Sequence, residues 1–387
     1  MFAKIHVHAD ALPRLGTILE PSRNSFSFLR LVMASLVLIS HTYLFTFGTS
    51  SLEPLTAWTG HSLGEHAVQV FFFLSGLMVA QSFERSRGIA DFASARVLRI
   101  FPALIVCVLL TALALGPIVS RVTLSDYLSS AALPLYLLKT LSLSTGSAPL
   151  PGVFETLPLP NLVNMSLWTL KYEVLCYAGL AAAGAAGLFN ARWRWPAAAL
   201  MAVVIATIYA INPKPSETFN GFDNLRYFSV FFGTGVLAYL ARDRLIITAW
   251  ALLPLFALFA ATLGTDYSEP ATALLLGYGT LWAATKTYGP FRAFCNQFDL
   301  SFGVYIYAGP IQQALIQSIP GAQPVAIILL TFAAVLPLGF LSWVLIEKPA
   351  LGLRRWLATS IGRASQPGGK AANGRHANGA LPRLAVH

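Results

Sequence analysis

The stretch Phe28–Phe47 limits what this chain can fold into more than any other, because it is a nearly unbroken apolar run. Its length, about 20 residues, is what an α-helix needs to cross the hydrocarbon core of a bilayer. The stretch also contains Arg30 and His41, two side chains that hydrocarbon tolerates poorly. Their spacing of eleven residues (41 − 30) is about three helical turns, so both lie on one face, about 16 Å apart along the axis. We therefore predict a transmembrane helix with one polar face.

The two polar residues of this stretch have two interpretations. Arg30 can extend its charged end to the membrane interface, and His41 can be a hydrogen-bonded residue inside a helix bundle. Alternatively, both belong to a functional site, which is the default reading of ionisable side chains inside a span.

The rest of the chain repeats the apolar pattern. Hydrophobic residues make up 56% of the 387 residues and charged residues 11%, whereas soluble domains contain about 25% charged residues. Runs of spanning length predict an all-α polytopic membrane protein with about ten transmembrane helices. The predicted spans cover residues 26–47, 67–83, 98–119, 166–188, 197–211, 225–241, 246–264, 270–286, 298–318 and 324–346.

The basic residues predict the orientation of these spans. A net charge of +10 could indicate nucleic-acid binding. If the chain begins in the cytoplasm, however, 21 of its 26 Lys and Arg residues fall in cytoplasmic segments and five fall outside, as the positive-inside rule requires. The first 25 residues also lack the apolar core of a signal peptide. We predict that both termini are cytoplasmic and that nucleic acid is not a partner.

Composition divides the chain into three predicted regions. Residues 1–25 form a cytoplasmic segment, 26–350 the membrane domain, and 351–387 a cytoplasmic, mostly disordered tail that is poor in apolar residues. Between the third and fourth spans, the run Tyr127–Thr140 is too short to cross a membrane and predicts an interfacial or re-entrant helix. Three cysteines without CxxC spacing favour neither a disulfide framework nor a zinc site.

Several later spans also contain polar residues. Ser75 interrupts the aromatic run VFFFLSG, and Arg96 and Arg99 stand one turn apart in RVLRIFPAL. A small residue is common in helix packing, and arginines near a span end can be topology anchors, so each of these signals is weak alone.

The fourth span opens with SLWTLKYEV, in which Glu173 is the only carboxylate predicted deep in a span. Buried without a partner it would cost several kcal/mol, so we expect it to be protonated, paired or facing a polar cavity. Counting residues from the span ends places His41, Ser75 and Glu173 near the same depth, whereas Arg30, Arg99 and Glu347 fall in the cytoplasmic 10 Å or so. The sequence thus predicts two polar layers.

The ninth span, DLSFGVYIYAGPIQQ, contributes Tyr305 and Tyr307, which can be either interfacial belt residues or site residues. Gly309 and Pro310 predict a break in this helix. Glu347 begins EKP after the last span, where an ion pair with Lys348 or with the arginines of the third span is expected.

Together these segments resemble the membrane acyltransferase family 3, bacterial enzymes that transfer acyl groups, often acetyl, to sugar hydroxyls of surface polysaccharides and related acceptors. The resemblance runs from Arg30 to Pro349. Two positions depart from the family: Ala308 stands where many members have a histidine, and Lys171 where proline or a small residue is frequent. A mechanism that requires a histidine in the ninth span is therefore not expected here.

The resemblance implies a multi-pass protein of the bacterial inner membrane that takes acetyl-CoA or another acyl-CoA from the cytoplasm. The donor phosphates would lie near Arg30, Arg96 and Arg99, because guanidinium groups bind phosphate bidentately. Ser75, Tyr305 and Tyr307 would complete the donor site. The catalytic residues would be His41, as general base on a hydroxyl of a glycan or glycolipid acceptor, and Glu173, orienting the imidazole or binding the sugar. No metal and no permanently bound cofactor are expected, and membrane lipid is the surrounding partner.

Two other classes compete with this interpretation. A glycolipid or polysaccharide transporter could use His41 and Glu173 in a proton-coupled path, but the inverted repeats and paired broken helices common in such folds are not evident in the sequence. A structural or sensory membrane protein would need none of these residues.

Overall fold

We describe a computed structural model of the chain at residues 13–20, 23–146, 148–211 and 221–354. Within these residues the structure is helical, and its only β-type pairing is an isolated bridge between Arg14 and Ile246. The α-helices are α1 (Leu15–Ile18), α2 (Phe26–Phe47), α3 (Pro54–Thr59), α4 (Leu63–Glu84), α5 (Ile89–Leu110), α6 (Gly116–Val119), α7 (Leu124–Ser129), α8 (Ala132–Leu141), α9 (Leu170–Ala185), α10 (Arg194–Ile211), α11 (Gly221–Leu240), α12 (Leu252–Thr262), α13 (Ser268–Ala284), α14 (Pro290–Gln297), α15 (Ser301–Ser318) and α16 (Pro324–Ser342). Short π-helical turns extend α5 and α16 at Thr111–Leu115 and Trp343–Glu347, and 3₁₀ turns precede α9 and α12 at Met165–Thr169 and Ala249–Ala251.

The apolar surface of the bundle fits a membrane. Among the described residues, four helical segments are long and apolar enough to cross a bilayer: Phe26–Phe47, Leu63–Glu84, Ile89–Val119 and Pro324–Arg354. The third and fourth segments expose large side chains such as Leu113 and Leu329 along their length, as expected of helices that face lipid. The prediction of an all-α fold is confirmed, and the four segments agree with a membrane protein; the count of ten spans and the orientation of the termini stay predictions.

Helices α2 and α4 run in opposite directions and give the bundle two distinguishable ends. Near the end of α2, a Cβ atom built on Gly64 would lie only 2.8 Å from the Ser40 hydroxyl oxygen. The last residues of α2 therefore lie beside the first residues of α4. We call the end where α2 begins and α4 ends the arginine end, because Arg30, Arg96 and Arg99 lie toward it. The opposite end, beside the long connection 120–164, is the loop end.

The tightest packing joins α4 to α11 and holds one face of α4 in a fixed rotation. Cβ atoms built on Gly76 and Gly235 would lie 2.0 Å from the Phe232 carbonyl oxygen and 2.1 Å from the Phe73 carbonyl oxygen. Only glycine permits backbones this close, which is the small-residue packing typical of membrane helices. Ser75, adjacent to Gly76, is therefore placed by the backbone contact itself.

Helix α15 passes through Pro310 without interruption, so the predicted break at Gly309 and Pro310 is wrong. Proline lacks the N–H that would bond the carbonyl four residues earlier, here that of Ile306. That carbonyl instead accepts from Asn164 Nδ2 at 2.8 Å and from Cys107 Sγ at 3.3 Å. Donors from other segments therefore satisfy the carbonyl that proline leaves free, and the helix continues.

Several other predicted segments can be placed. The run Tyr127–Thr140 is helical, as predicted, but is divided between α7 and α8 at Ser130 and Ala131. Of the predicted N-terminal segment, α1 packs on the connection after α11, where Leu15 N donates to the Leu245 carbonyl at 2.9 Å. Residues 1–12 and all of the predicted tail from 355 onward lie outside the described residues, and the three predicted regions stay predictions.

Candidate active site

A cavity of about 320 Å³ opens between α2, α4, α5, α9 and α15. Along α4 it extends from Val68 to Val79, which is about 16 Å of helix. Six of the eight predicted site residues line it: Arg30, Ser75, Arg96, Arg99, Glu173 and Tyr305. His41 and Tyr307 do not line it. The structure thus brings together residues from five helices that are up to about 270 positions apart in the sequence.

Arg30 and Arg99 are engaged in a buried charge network. Both donate to Asp299 Oδ2, at 2.9 and 2.8 Å, and Arg99 also donates to Glu347 Oε2 at 3.0 Å. The side chain of Glu347 is 1% exposed and that of Asp299 is 15% exposed. Two cations here face two carboxylates, so the network is close to neutral.

The two carboxylates of this network are themselves held in place. Ser301 donates its hydroxyl to Asp299 Oδ1 at 2.6 Å, and Ser342 donates to Glu347 Oε1 at 3.0 Å. Buried ion pairs need such additional hydrogen bonds to offset the cost of desolvation. The network therefore joins α2, α5, α15 and the end of α16 at the arginine end of the cavity. The sequence offered Lys348 or an arginine of the third span as the partner of Glu347, and in the structure the partner is Arg99.

Arg96 differs from its neighbour Arg99, because no carboxylate lies within ion-pair distance of it among the described residues. Its Nη2 donates to Ser82 Oγ at 3.1 Å, while its Nε atom is buried and has no hydrogen-bond partner. The guanidinium lies over the rings of Phe92 and Tyr177, at 5.9 and 5.7 Å from their centroids, which stabilises a cation modestly. Arg96 is thus a partly buried cation with unused hydrogen-bonding capacity, facing the cavity.

A second polar group lies halfway along the cavity wall. Ser75 Oγ is 3.3 Å from Glu173 Oε1 and 3.2 Å from the Tyr177 hydroxyl, so it can donate to either. The Tyr177 hydroxyl donates to Glu173. The expectation that Glu173 is paired or faces a polar cavity therefore holds on both counts. Tyr177 was not predicted, although its position four residues after Glu173 on one helical face was a usable signal.

Tyr305 and Tyr307 point to different sides of α15, because two residues correspond to about 200° around a helix. Tyr305 faces the cavity, shares a 2.7 Å hydrogen bond with Thr169 Oγ1, and lies 5.8 Å from the Phe71 ring. Tyr307 is 6% exposed and buried elsewhere in the bundle. Of the two tyrosines, only Tyr305 is placed to contact a ligand in this cavity.

His41 lies apart from Glu173, which corrects the prediction of one shared layer. His41 follows Ser40, whose hydroxyl lies beside Gly64 of α4. Ser75, which contacts Glu173, is eleven residues (75 − 64) farther along α4 than Gly64, so its level is about 16 Å closer to the arginine end than that of His41. Val68, the loop-end limit of the cavity along α4, is about 6 Å from the level of Gly64. Counting depth from span ends failed because α9 begins only after the 3₁₀ turn Met165–Thr169, which lies inside the bundle. Thr169 at the end of this turn shares a hydrogen bond with Tyr305, and Asn164 just before the turn donates to the Ile306 carbonyl.

The His41 ring is partly buried, packs 5.5 Å from the Phe45 ring, and has an Nδ1 atom with no hydrogen-bond partner. No hydrogen bond joins it to Glu173 in the described part of the chain. A buried imidazole nitrogen without a partner is an exception that calls for an explanation. The Nδ1 atom therefore has hydrogen-bonding capacity that the described residues do not use.

A polar cluster at the start of α4 was not predicted. The Tyr227 hydroxyl donates to Glu65 Oε1 at 2.8 Å, and His61 Nδ1 lies 3.0 Å from the same oxygen. The hydrogen bond to Glu65 raises the pKa of His61 above its usual value, against the effect of partial burial. Through the hydrogen bond between Tyr227 and Glu65, this cluster links α11 to the start of α4 at the loop end, outside the cavity.

Comparisons with known proteins agree with this arrangement. A family model described as an acyltransferase domain matches residues 23–344. An O-acetyl transferase of Shigella phage Sf6 is 32% identical over 333 residues, which cover 84% of this chain and 95% of that protein. Nodulation protein 10 of Rhizobium leguminosarum bv. viciae is 27% identical over 365 residues, covering 86% and 94%. No solved structure matches significantly.

Proposed function

Because the chain belongs to the acyltransferase family whose domain matches residues 23–344, and is therefore an acyltransferase, we propose that it transfers an acyl group from acyl-CoA to a sugar hydroxyl. The acyl group is acetyl, as the name of the phage relative suggests. The acceptor is a sugar of a polysaccharide, a lipopolysaccharide or a lipid-linked glycan.

The observation that carries this proposal is the cavity with Arg96 at its arginine end. Acyl-CoA is a long, chain-like donor with phosphates at one end and a thioester at the other. A partly buried guanidinium that no carboxylate neutralises is suited to a phosphate. The cavity then continues for about 16 Å along α4, past Ser75, Glu173 and Tyr177, toward an apolar end at Val68 and Phe71. This shape supports a binding mode in which the thioester end of the donor lies toward Val68 and the phosphates remain at Arg96.

The charge network changes how we assign the three arginines. Arg30 and Arg99 already bind Asp299 and Glu347, so we propose that they shape the site and add a weaker attraction for phosphate. Arg96 provides the main phosphate contact. Ser75, Glu173 and Tyr177 bind the donor arm, whose amide groups both donate and accept hydrogen bonds.

We assign the general base to His41. Its imidazole takes the proton of the acceptor hydroxyl while that oxygen bonds to the acyl carbon; the carbon–sulfur bond breaks, and CoA leaves as the thiolate. The thioester would reach His41 from the Val68 end of the cavity, about 6 Å away along the helix axes. Glu173 is then a donor-site residue, because about 16 Å separates its level from that of His41.

The orientation proposed with this mechanism places the arginine end in the cytoplasm of a bacterial inner membrane, where acyl-CoA is made. Reporter cysteines introduced at Leu52, which is exposed in the connection after α2 at the loop end, and at Ala90, which is exposed at the arginine end, test it. The three native cysteines are buried and should react slowly. In intact cells an impermeant thiol reagent should label the residue 52 reporter only. Labelling of the residue 90 reporter instead would reverse the orientation.

The enzymatic proposal is tested with detergent-purified protein, radiolabelled acetyl-CoA and lipid-linked glycans extracted from the source bacterium. We expect label to move into the glycan fraction and CoA to be released in equal amount. Mass spectrometry of surface glycans from cells with and without the gene should show the same acetyl group. A protein that moves unmodified glycolipid across vesicles and releases no CoA would instead be the transporter considered above.

A further inference from the structure

A second cavity, of about 440 Å³, lies at the loop end of the bundle. It is formed by the last residues of α2, by the connections around residues 121 and 156–158, and by the turn that joins α15 to α16. Its volume falls within the range typical of small-ligand sites, about 300–1,000 Å³. We call it the loop-end pocket. None of the predicted site residues lines it.

The loop-end pocket lies on the far side of His41 from the donor cavity. Thr46 in its wall is five residues (46 − 41) beyond His41, about 7.5 Å along α2. The donor cavity ends about 6 Å from His41 in the opposite direction. His41, with its unpartnered Nδ1 atom, is therefore between two cavities that open toward opposite ends of the bundle.

One polar group in the wall of this pocket has unused hydrogen-bonding capacity. The Thr46 hydroxyl is buried and has no hydrogen-bond partner among the described residues. Buried polar atoms of this kind are normally satisfied. Thr46 therefore points to a ligand that carries hydroxyl groups, which both donate and accept hydrogen bonds.

The remaining lining residues narrow the class of ligand. Gln317 donates Nε2 to the Val119 carbonyl at 2.7 Å, which leaves its oxygen as an acceptor. Phe47, Pro158 and Pro320 supply apolar surface that can pack against a sugar ring. Arg121 is exposed, lines the pocket and forms no ion pair among the described residues. The pocket thus combines hydroxyl-binding groups, an apolar wall and one cation.

We propose that the loop-end pocket binds the acceptor, a sugar that carries a negatively charged group, and that Arg121 binds this group and selects for it. This inference rests on the proposed acyl transfer and adds the acceptor site and its charge preference. The negative group is either the phosphate of a lipid carrier or an acidic substituent of the sugar. Both would engage the guanidinium in the same way.

The test compares loop-end variants by their apparent KM for two substrates. The acceptor is the lipid-linked glycan fraction of the source bacterium, assayed in phospholipid-free detergent, and the donor is acetyl-CoA. Arg121→Ala should raise the acceptor KM about 10- to 100-fold and leave the acetyl-CoA KM unchanged, because it removes one charge-assisted contact. Arg121→Lys should recover part of the loss. Ala322→Trp, which places an indole at a half-buried position of the pocket wall, should also raise the acceptor KM.

Lys139→Ala is the matched control, because it removes an exposed positive charge of the same connection, 120–164, from a position outside the pocket. We expect it to change neither KM. Mild acid, which releases the glycan from its carrier, distinguishes the two sources of charge. If the effect of Arg121→Ala disappears with the released glycan, the carrier phosphate is the group recognised; if it persists, the sugar is acidic.

Three results would overturn the inference while leaving the proposed function intact. The first is acetyl transfer by the wild-type protein with an acceptor KM that Arg121→Ala and Ala322→Trp leave unchanged. The second is an equal effect of Lys139→Ala. The third is an effect of Arg121→Ala seen only in anionic phospholipid vesicles, which would make Arg121 a lipid-headgroup anchor. If the wild-type protein transfers no acetyl group to any glycan, the proposed function itself fails.

Discussion

The donor cavity and the loop-end pocket differ in how their polar groups are satisfied. In the donor cavity, Asp299 and Glu347 neutralise Arg30 and Arg99, and of the three arginines only Arg96 has no carboxylate partner among the described residues. In the loop-end pocket, the buried Thr46 hydroxyl has no hydrogen-bond partner within the same part of the chain. A buried network that satisfies itself stabilises the bundle with or without ligand. Polar groups without protein partners gain hydrogen bonds only when a ligand binds. We therefore expect changes in the charge network of the donor cavity to lower stability, a change at Arg96 to weaken donor binding, and changes in the loop-end pocket to weaken acceptor binding.

The largest effect is expected at His41, between the two regions. General-base assistance is typically worth 10²- to 10⁴-fold, so His41→Ala should lower kcat by roughly that factor at saturating acetyl-CoA. Size-exclusion chromatography of the variant in detergent controls for folding. A His41→Ala protein with near-wild-type kcat would remove the general base from the mechanism and favour transport.

The same variant also tests the separation of His41 from Glu173. Sites more than about 7–10 Å apart that share no partner usually act independently. The losses of His41→Ala and Glu173→Ala should therefore multiply in the double variant. A double variant scarcely worse than His41→Ala alone would instead indicate that the two residues act as one catalytic unit, as the sequence prediction of one layer implied.

Arg99→Ala should act mainly on stability. Removing one partner of a buried ion pair typically costs about 3–5 kcal/mol, because the remaining charge is left uncompensated. Here Asp299 would keep Arg30, but Glu347 would lose its only ion-pair partner within the described residues. We expect a lower free energy of unfolding in detergent titrations. Adding Glu347→Gln should recover part of the loss, and no recovery would mean that Arg99 acts through packing alone.

Arg96→Ala should act mainly on donor binding, because no carboxylate in the described part of the chain lies within ion-pair distance of Arg96. Loss of a charge-assisted phosphate contact costs about 1.5–3 kcal/mol, so the acetyl-CoA KM should rise about 10- to 100-fold. Arg192→Ala is the control, since Arg192 is exposed at the arginine end and lies outside the cavity. If Arg99→Ala raises this KM more than Arg96→Ala does, the assignment of the main phosphate contact is wrong.

The smallest effect is expected at Asn164, which donates to the carbonyl that Pro310 leaves free. Asn164→Ala should lower the free energy of unfolding by about 1–3 kcal/mol, because a buried acceptor loses its main donor. Pro310→Ala supplies the missing N–H and should reduce the cost of Asn164→Ala in the double variant. Additive losses would show that Asn164 does not compensate for the proline.

The sequence by itself determined the class of fold and six of the residues that line the donor cavity. Apolar runs of spanning length can only be satisfied as helices in a membrane, so the all-α bundle followed from composition and run length. Arg30, Ser75, Arg96, Arg99, Glu173 and Tyr305 could be identified because polar side chains in apolar helices are costly and therefore conspicuous.

Only the tertiary structure decided which of these residues meet. Depth counted along the sequence put His41 beside Glu173, because it assumed that each helix starts at the membrane surface, whereas α9 starts deep in the bundle. The same limitation left open whether Glu347 pairs with Lys348 or with an arginine of the third span, and the structure pairs it with Arg99. It also concealed the hydrogen bond from Asn164 to the carbonyl that Pro310 leaves free. Local patterns report the cost of placing a residue in a helix, but the partner that offsets this cost is set by how the helices pack.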